Sequence, residues 1–386
     1  MTRASGAGVM AGLFHGPLHS SSSVVVPALT LRRGTALGSR IPPDSRSGPG
    51  PTAPLAIENT HMPNSTDGQG PILLSATDYK LPKTLPEGID KYTNFKEMAR
   101  GGSAVLRTCF DQITGRTVVM KSLLKQFEMD PRENRRLLRE ARVTAQLQHP
   151  NTVPVYEIGR DHRQGLYFTM KRVSGENFFE ILKRVARDVP ETVGEFSLRR
   201  RVEIVATAGL ALMYAHARGV IHRDIKPENI WVGNFGEVVL LDWGVAKVWG
   251  QPDDGPAPPL LAEQQQAQVQ ALTMAGDRPG TPLYMSPEQV NVNRATVDER
   301  SDIFSMGVVL YEVAALREPF RGRVIQETFE NIIHDNPPPP SEVRPQGGIP
   351  RRLDEVVMKA ISKSPADRFQ TIRQMLEALR QVDYES

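Results

Sequence analysis

The sequence predicts an α+β chain of two lobes: a small antiparallel-sheet lobe carrying one helix, then a larger, mainly helical lobe. Three observations predict it. From Tyr92 onward, short stretches rich in Val, Leu, Phe, Tyr and Thr ("YTNFKEMA", "AVLRTCFD", "RTVVMKSLL") are separated by the turn-forming "RGGS" and "QITG". One run, "PRENRRLLREARVTAQLQ", starts on Pro131 and repeats apolar residues at helical spacing. After Gly175 the pattern turns helical, with the long apolar "VEIVATAGLALMYAHARG" closed by Gly219.

Taken in order, the first three stretches read as antiparallel strands. The run from Pro131 reads as an amphipathic helix with Leu137, Leu138, Ala141, Val143 and Leu147 on its apolar side and its arginines on a solvated face. "TVPVYEIG" and "GLYFTMKRV" read as two more strands, and the lobes join near Met170 to Ser174. Ahead of this fold, residues 1–88 are dense in Gly, Pro, Ser and Thr without a sustained apolar period, so burial cannot offset their ordering entropy and they are expected to be disordered. The folded part is expected over 89–380, with the small lobe at about 89–172 and the large lobe at about 173–380.

Composition narrows the function classes. At 386 residues and 39% hydrophobic content the chain can bury a large core. A net charge of +3, with no basic stripe interleaved with aromatics, argues against nucleic acid as a partner. A single cysteine, Cys109, excludes an intramolecular disulfide and suits a reduced, cytoplasmic setting. No apolar run reaches the length of a membrane span. The first 43 residues hold four arginines and no acidic residue, a composition that overlaps with transit peptides and equally with plain disorder. The prolines at 337–340 fall between two predicted helices and read as a structural turn.

The chemistry is concentrated in "IHRDIKPENIWVGNFGEVVLLDWG". With "VVMK", "LLREARV" and "GTPLYMSPEQ", this stretch resembles the eukaryotic-type (Hanks-type) Ser/Thr protein kinases, and "LQHPNTVPVYEIG" is similar to bacterial members. The resemblance covers Tyr92 to about Leu379 and implies a bilobal kinase fold with ATP and Mg²⁺ between the lobes. It implies Asp224 as the base that accepts a hydroxyl proton, Lys226 as a countercharge on the phosphoryl group, and Asn229 and Asp242 as metal ligands. Trp243 stands for the family's Phe in Asp-Phe-Gly. Lys121 is implied to pair with the α- and β-phosphates and Glu140 to steady it, with Met170 behind the nucleotide and Lys171 to Val173 as the hinge. Thr281 is implied to contact Asp224 and Lys226, Glu288 to pair with Arg368, and Asp302 to hold the catalytic loop. Arg223 is implied to meet a phosphate on the activation segment.

The departures lie around ATP. Aligned on Lys121, the phosphate loop reads Ala99-x-Gly101-x-x-Ala104-x-Leu106, with Gly102 beside the one retained family glycine. Glycine matters there because backbone N–H groups must approach phosphate oxygens and a turn can need positive φ. Ala99 and Ala104 are expected on the flanking strand ends, where a methyl group is tolerated, so the loop is expected to work. Val119 replaces the family's Ala above the base. Trp231 replaces a Leu or Met beneath it, where an indole either crowds the base or stacks on it. These changes are the case for the rival reading, a pseudokinase scaffold. A small-molecule phosphotransferase is a weaker rival, disfavoured by Ser286-Pro287-Glu288. The stretch Asp242 to Glu288 spans 47 residues, and Thr273 within it is expected to be autophosphorylated, by a second copy in trans. The remaining partners expected are proteins that carry substrate Ser or Thr.

Overall fold

Side-chain alternation along the strands decides what each face of the small lobe holds. The computed structural model describes residues 84–248, 282–291 and 296–384. Thr273, Thr281 and all but the last few residues of the 1–88 tail lie outside them. Five antiparallel strands, β1 (Tyr92–Arg100), β2 (Ala104–Asp111), β3 (Arg116–Leu123), β4 (Val155–Asp161) and β5 (Gly165–Lys171), form one sheet in the order β1-β2-β3-β5-β4. On one face Val118 and Met120 bury against Ile89, Tyr92, Cys109 and Tyr167. On the other, Leu123 packs with Leu166 and Phe168 against Leu137 and Ala141 of the helix α1 (Pro131–Gln146). Because strand side chains repeat every second residue, Lys121 and Val119 share the face of Leu123 and look toward α1.

The helix α1 forms as its sequence signals indicate. Asp130 caps it, accepting from Arg132 N at 2.7 Å, and Pro131 fills a first-turn position that needs no N–H. Leu137, Glu140, Ala141, Val143 and Thr144 are buried, while Arg132, Arg135 and Arg142 are exposed. One charged residue, Glu140, thus lies on the stripe that faces Lys121.

The large lobe follows with α2 (Phe178–Val185), α3 (Pro190–Glu195) and α4 (Leu198–Ala217). Its centre is the helix Glu299–Ala315, buried at every position from Ser301 to Ala315, as expected of a helix surrounded by protein. Helices Arg351–Ala360 and Ile372–Arg380 complete the core around it. Two short ladders frame the catalytic segment: Ile230–Val232 with Val238–Leu240 and Glu176–Asn177, and Val220–Ile221 with Lys247–Val248. The loop after α1 docks on the first of these, where Leu240 N donates to Asn151 O at 2.9 Å and Asn151 Nδ2 donates to Val238 O at 2.7 Å. The proline run is held by Tyr311, whose hydroxyl donates to Pro338 O at 2.9 Å. No helix of the described residues is long and apolar enough to cross a membrane.

Close packing of the central helix depends on Gly307. A Cβ there meets Ala360 Cβ at 2.7 Å and Ile361 Cγ2 at 2.8 Å. Gly307→Ala is therefore expected to lower stability by about 1–3 kcal/mol through overpacking, measured as a shift of the urea midpoint.

Candidate active site

A single buried carboxylate positions the loop that follows α4. Asp302, in the first turn of the central helix, accepts His222 N at Oδ2 and Arg223 N at Oδ1, both at 2.8 Å, and His216 Nε2 lies 2.8 Å from Oδ2. Burial opposes ionisation of Asp302, but the bonds from His216 and the loop outweigh it and hold the carboxyl below its usual range. Arg223 takes a left-handed φ of 68°. That backbone strain persists because both adjoining peptide groups are held, Arg223 N by Asp302 and Arg223 O by Gln289 Nε2 at 2.8 Å.

The loop then presents Asp224. Its Oδ2 accepts Lys226 Nζ at 2.6 Å and Asn229 Nδ2 at 3.1 Å, and Asn229 Nδ2 also donates to Asp224 O at 2.8 Å. Among the described residues nothing bonds Asp224 Oδ1, so one lobe of the carboxylate is open to an incoming proton. Burial works against the charge of Lys226, and Asp224 more than restores it, so its pKa is raised.

Asn229 links this loop to the next, since Leu241 N donates to Asn229 O at 2.8 Å and His222 Nε2 lies 3.0 Å from Leu241 O. Asp242 follows with a left-handed φ of 63°. Trp243 is buried, its ring 4.5 Å from that of His222, and its indole N–H has no partner among the described residues. Gly244 is closely approached: a Cβ there lies 3.0 Å from Asp242 Oδ1 and 3.2 Å from Glu140 Oε2, so both carboxylates would have to give way by a few tenths of an ångström.

Across the cleft, Lys121 Nζ meets Glu140 Oε1 at 2.5 Å. Burial disfavours the lysine charge, yet Glu140 and Asp242 together outweigh it and raise its pKa. Burial likewise opposes the charge on Asp242, and Lys121 and Lys226 overcome that and keep its carboxyl below the ordinary range. These residues fit a hard divalent cation. Asp242 offers an ionised carboxylate, and Asn229, with its amide nitrogen spent on Asp224, has its Oδ1 left as a ligand; one carboxylate, one amide oxygen and the phosphates of a nucleotide are the donor set such an ion uses. Among the described residues no cluster of three His, Cys, Asp or Glu offers an all-protein site.

The nucleotide side is built by the sheet. Ala99 pairs with Leu106, and Ala104 opens β2 opposite Leu123. Gly101 N donates to Ala104 O at 2.8 Å, closing the turn that contains Gly102. Gly101 does not adopt a positive φ, so the expected need for left-handed backbone does not arise at this position, and a Cβ there would meet only Ala104 O, at an ordinary contact distance of 3.6 Å. Leu106 lies opposite Lys121, and buried Val119 lies opposite Met170. Of the hinge N–H groups, that of Lys171 is taken by Pro154 O at 3.0 Å, while that of Val173 bonds no described residue. The Trp231 indole is anchored, donating from Nε1 to Ser174 O at 2.7 Å. Its orientation is thus fixed by the hinge.

The protein kinase domain family matches residues 92–379. The chain belongs to the protein kinase family. Its relatives include the serine/threonine-protein kinase PknD of Protochlamydia amoebophila, 32% identical over 300 residues, which are 76% of this chain and 30% of the relative. PknD of Chlamydia trachomatis is 32% identical over 304 residues, 76% of this chain and 31% of the relative. The serine/threonine-protein kinase pkn3 of Myxococcus xanthus is 35% identical over 313 residues, 80% of this chain and 52% of the relative. The chain therefore spans about a third to a half of the length of these relatives.

The large lobe also joins segments distant in sequence through charge. Arg368 donates from NH1 and NH2 to Glu288 Oε1 and Oε2 at 2.7 and 2.9 Å, and Ser301 Oγ donates to Glu288 Oε1 at 2.6 Å. Both side chains are almost wholly buried. Three participants in the kinase site escape a reading by motif: His216 on Asp302, Gln289 on Arg223, and Ser174 under Trp231. Each acts through a contact between residues far apart in sequence, with no local signal.

Glu288→Gln removes one charge of a buried pair and is expected to cost about 3–5 kcal/mol. Burial acts to raise the Glu288 pKa, and the bonds from Arg368 and Ser301 lower it by more, for a net depression. The ionised form is thus favoured in the folded state. The stability gap between wild type and Glu288→Gln should be full at neutral pH, begin to close below the unfolded glutamate pKa of about 4.3, and vanish as pH falls through the folded value. Urea unfolding at a series of pH values measures it.

Proposed function

We propose that this chain is a serine/threonine protein kinase that transfers the γ-phosphate of ATP to protein hydroxyls with Mg²⁺. The observation that carries this reading is the arrangement at Asp224, with Oδ2 held by Lys226 and Asn229 and Oδ1 open. In the proposed reaction Asp224 accepts the proton of a Ser or Thr hydroxyl while the hydroxyl oxygen takes the phosphoryl group and ADP leaves. Lys226 and Lys121 supply positive charge on either side of the phosphates, and Glu140 keeps Lys121 from collapsing onto Asp242. Asp242 and Asn229 would hold the metal, which when bound neutralises charge on the phosphate oxygens. Val173 N–H and the indole of Trp231 border the base. A cytoplasmic location belongs to the same reading, supported by the use of a single cysteine, Cys109, which is buried.

Retention of the Lys121–Glu140 pair, the Asp224 constellation and the Glu288–Arg368 bridge favours an enzyme over a scaffold. The names of the relatives support Ser/Thr specificity, as does Lys226 two residues after Asp224. Transfer of label from γ-labelled ATP to the protein itself and to a generic basic protein tests the proposal. Asp224→Asn is expected to reduce incorporation by at least about two orders of magnitude with nucleotide binding retained. Equal labelling by wild type and variant would overturn it. Autophosphorylation in trans at Thr273 is part of the proposal, and mass spectrometry after incubation with ATP should find phosphate on that residue in wild type and none in Asp224→Asn.

A further inference from the structure

One buried charge in the large lobe has two guanidinium nitrogens with no hydrogen-bond partner among the described residues. Arg201 lies in the first turn of α4 and is 4% exposed. Its neighbours Arg199 and Arg200 point outward to Glu203, at 3.0 and 3.8 Å. Arg201 instead begins the stripe Val205, Ala208 and Leu212, each fully buried, so its guanidinium is carried into the protein. Its Nε and NH1 are buried and bond no described residue. The other charge acting on it is a second cation, Arg344, in the turn after the helix Pro340–Val343, whose side chain also bonds no described residue. Burial, with Arg344 adding to it, pushes the Arg201 pKa down to about 10. The positive end of the α4 dipole adds to the same unfavourable field. A buried guanidinium left without a described partner beside a second cation is unfavourable unless an anion is supplied.

We propose that Arg201 and Arg344 form a binding site for a small phosphate-class dianion. Two guanidiniums and a helix N-terminus favour a double negative charge, and the burial of Arg201 admits a small tetrahedral group rather than the surface of a folded partner. The site is distinct from the nucleotide cleft. Arg201 and His216, which adjoins the catalytic loop, are separated by about 22 Å along α4. A phosphate bound there braces the base of α4, whose other end carries the catalytic loop.

Thermal unfolding of the full chain against inorganic phosphate, with chloride at matched ionic strength as reference, tests the proposal. Wild type and Lys121→Met, which lacks the phosphate contact of the nucleotide cleft, should both show a saturable rise in Tm. Arg201→Met should show none, and Arg344→Gln should raise the half-saturating concentration about tenfold. Glycerol phosphate run in parallel separates the sources: a response to it as well as to inorganic phosphate marks a site for phosphomonoesters, and a response to inorganic phosphate alone marks a site for the free ion. A rise no larger than that in chloride, a rise retained in Arg201→Met, or one lost in Lys121→Met would overturn the site. Should Arg201→Met fail to fold, the response of Arg344→Gln decides: an unchanged half-saturating concentration rejects the proposal.

Discussion

The carboxylate of Asp302 is the point on which the catalytic apparatus rests. It sits on a helix buried along nearly its whole length and holds two consecutive N–H groups of the catalytic loop. A loop carrying strained backbone at Arg223 needs such an anchor, because left-handed φ at a non-glycine residue is unfavourable by itself. The anchor in turn requires a rigid support. Close approach at Gly307 locks the helix against Arg351–Ala360, and the Glu288–Arg368 bridge ties it to the segment leading in from the activation region. Packing of the large-lobe core is therefore expressed at the active site as the position of one carboxylate, Asp224.

The cleft is an alternating set of charges rather than a collection of separate ion pairs. Lys121 lies between Glu140 and Asp242, and Lys226 between Asp224 and Asp242. Burial penalises the charges of Lys121, Lys226 and Asp242, and the attraction of their neighbours outweighs it, whereas at Glu140 burial and the nearby Asp242 outweigh Lys121 and push the carboxyl up. Each lysine keeps its charge because two carboxylates face it. Asp242 stays ionised because both lysines do. For the proposed binding of an anionic substrate and a divalent ion, the counter-charges are already in place and little reorganisation would remain.

The resemblance to protein kinases made the main motifs legible before any coordinates, because spacing within a loop or a strand is a local property. Asp224, Lys226 and Asn229 fall on one short loop, so their convergence follows from the sequence. The two alanines of the phosphate loop were also readable, since the strand pattern put them at strand ends, where the sheet pairs them. The role of Gly101 was less so: the turn closes without left-handed backbone, which depends on the bond to Ala104 O. Trp231 could be read as crowding the base or stacking on it. Its bond to Ser174 O, a residue distant in sequence, fixes the ring.

By itself the sequence determined the fold class, the order of the elements, the family and the residue types available for chemistry, because periodicity, turn residues and motif spacing are written along the chain. Only the tertiary structure decided which charges meet. The contact of Lys121 with Glu140 needs the sheet register and the seating of α1; that of His216 with Asp302 needs two helices to pack; the burial of Arg201 needs a helix face to be covered. Those outcomes depend on desolvation and on distances between remote segments, and neither quantity exists until the chain has folded.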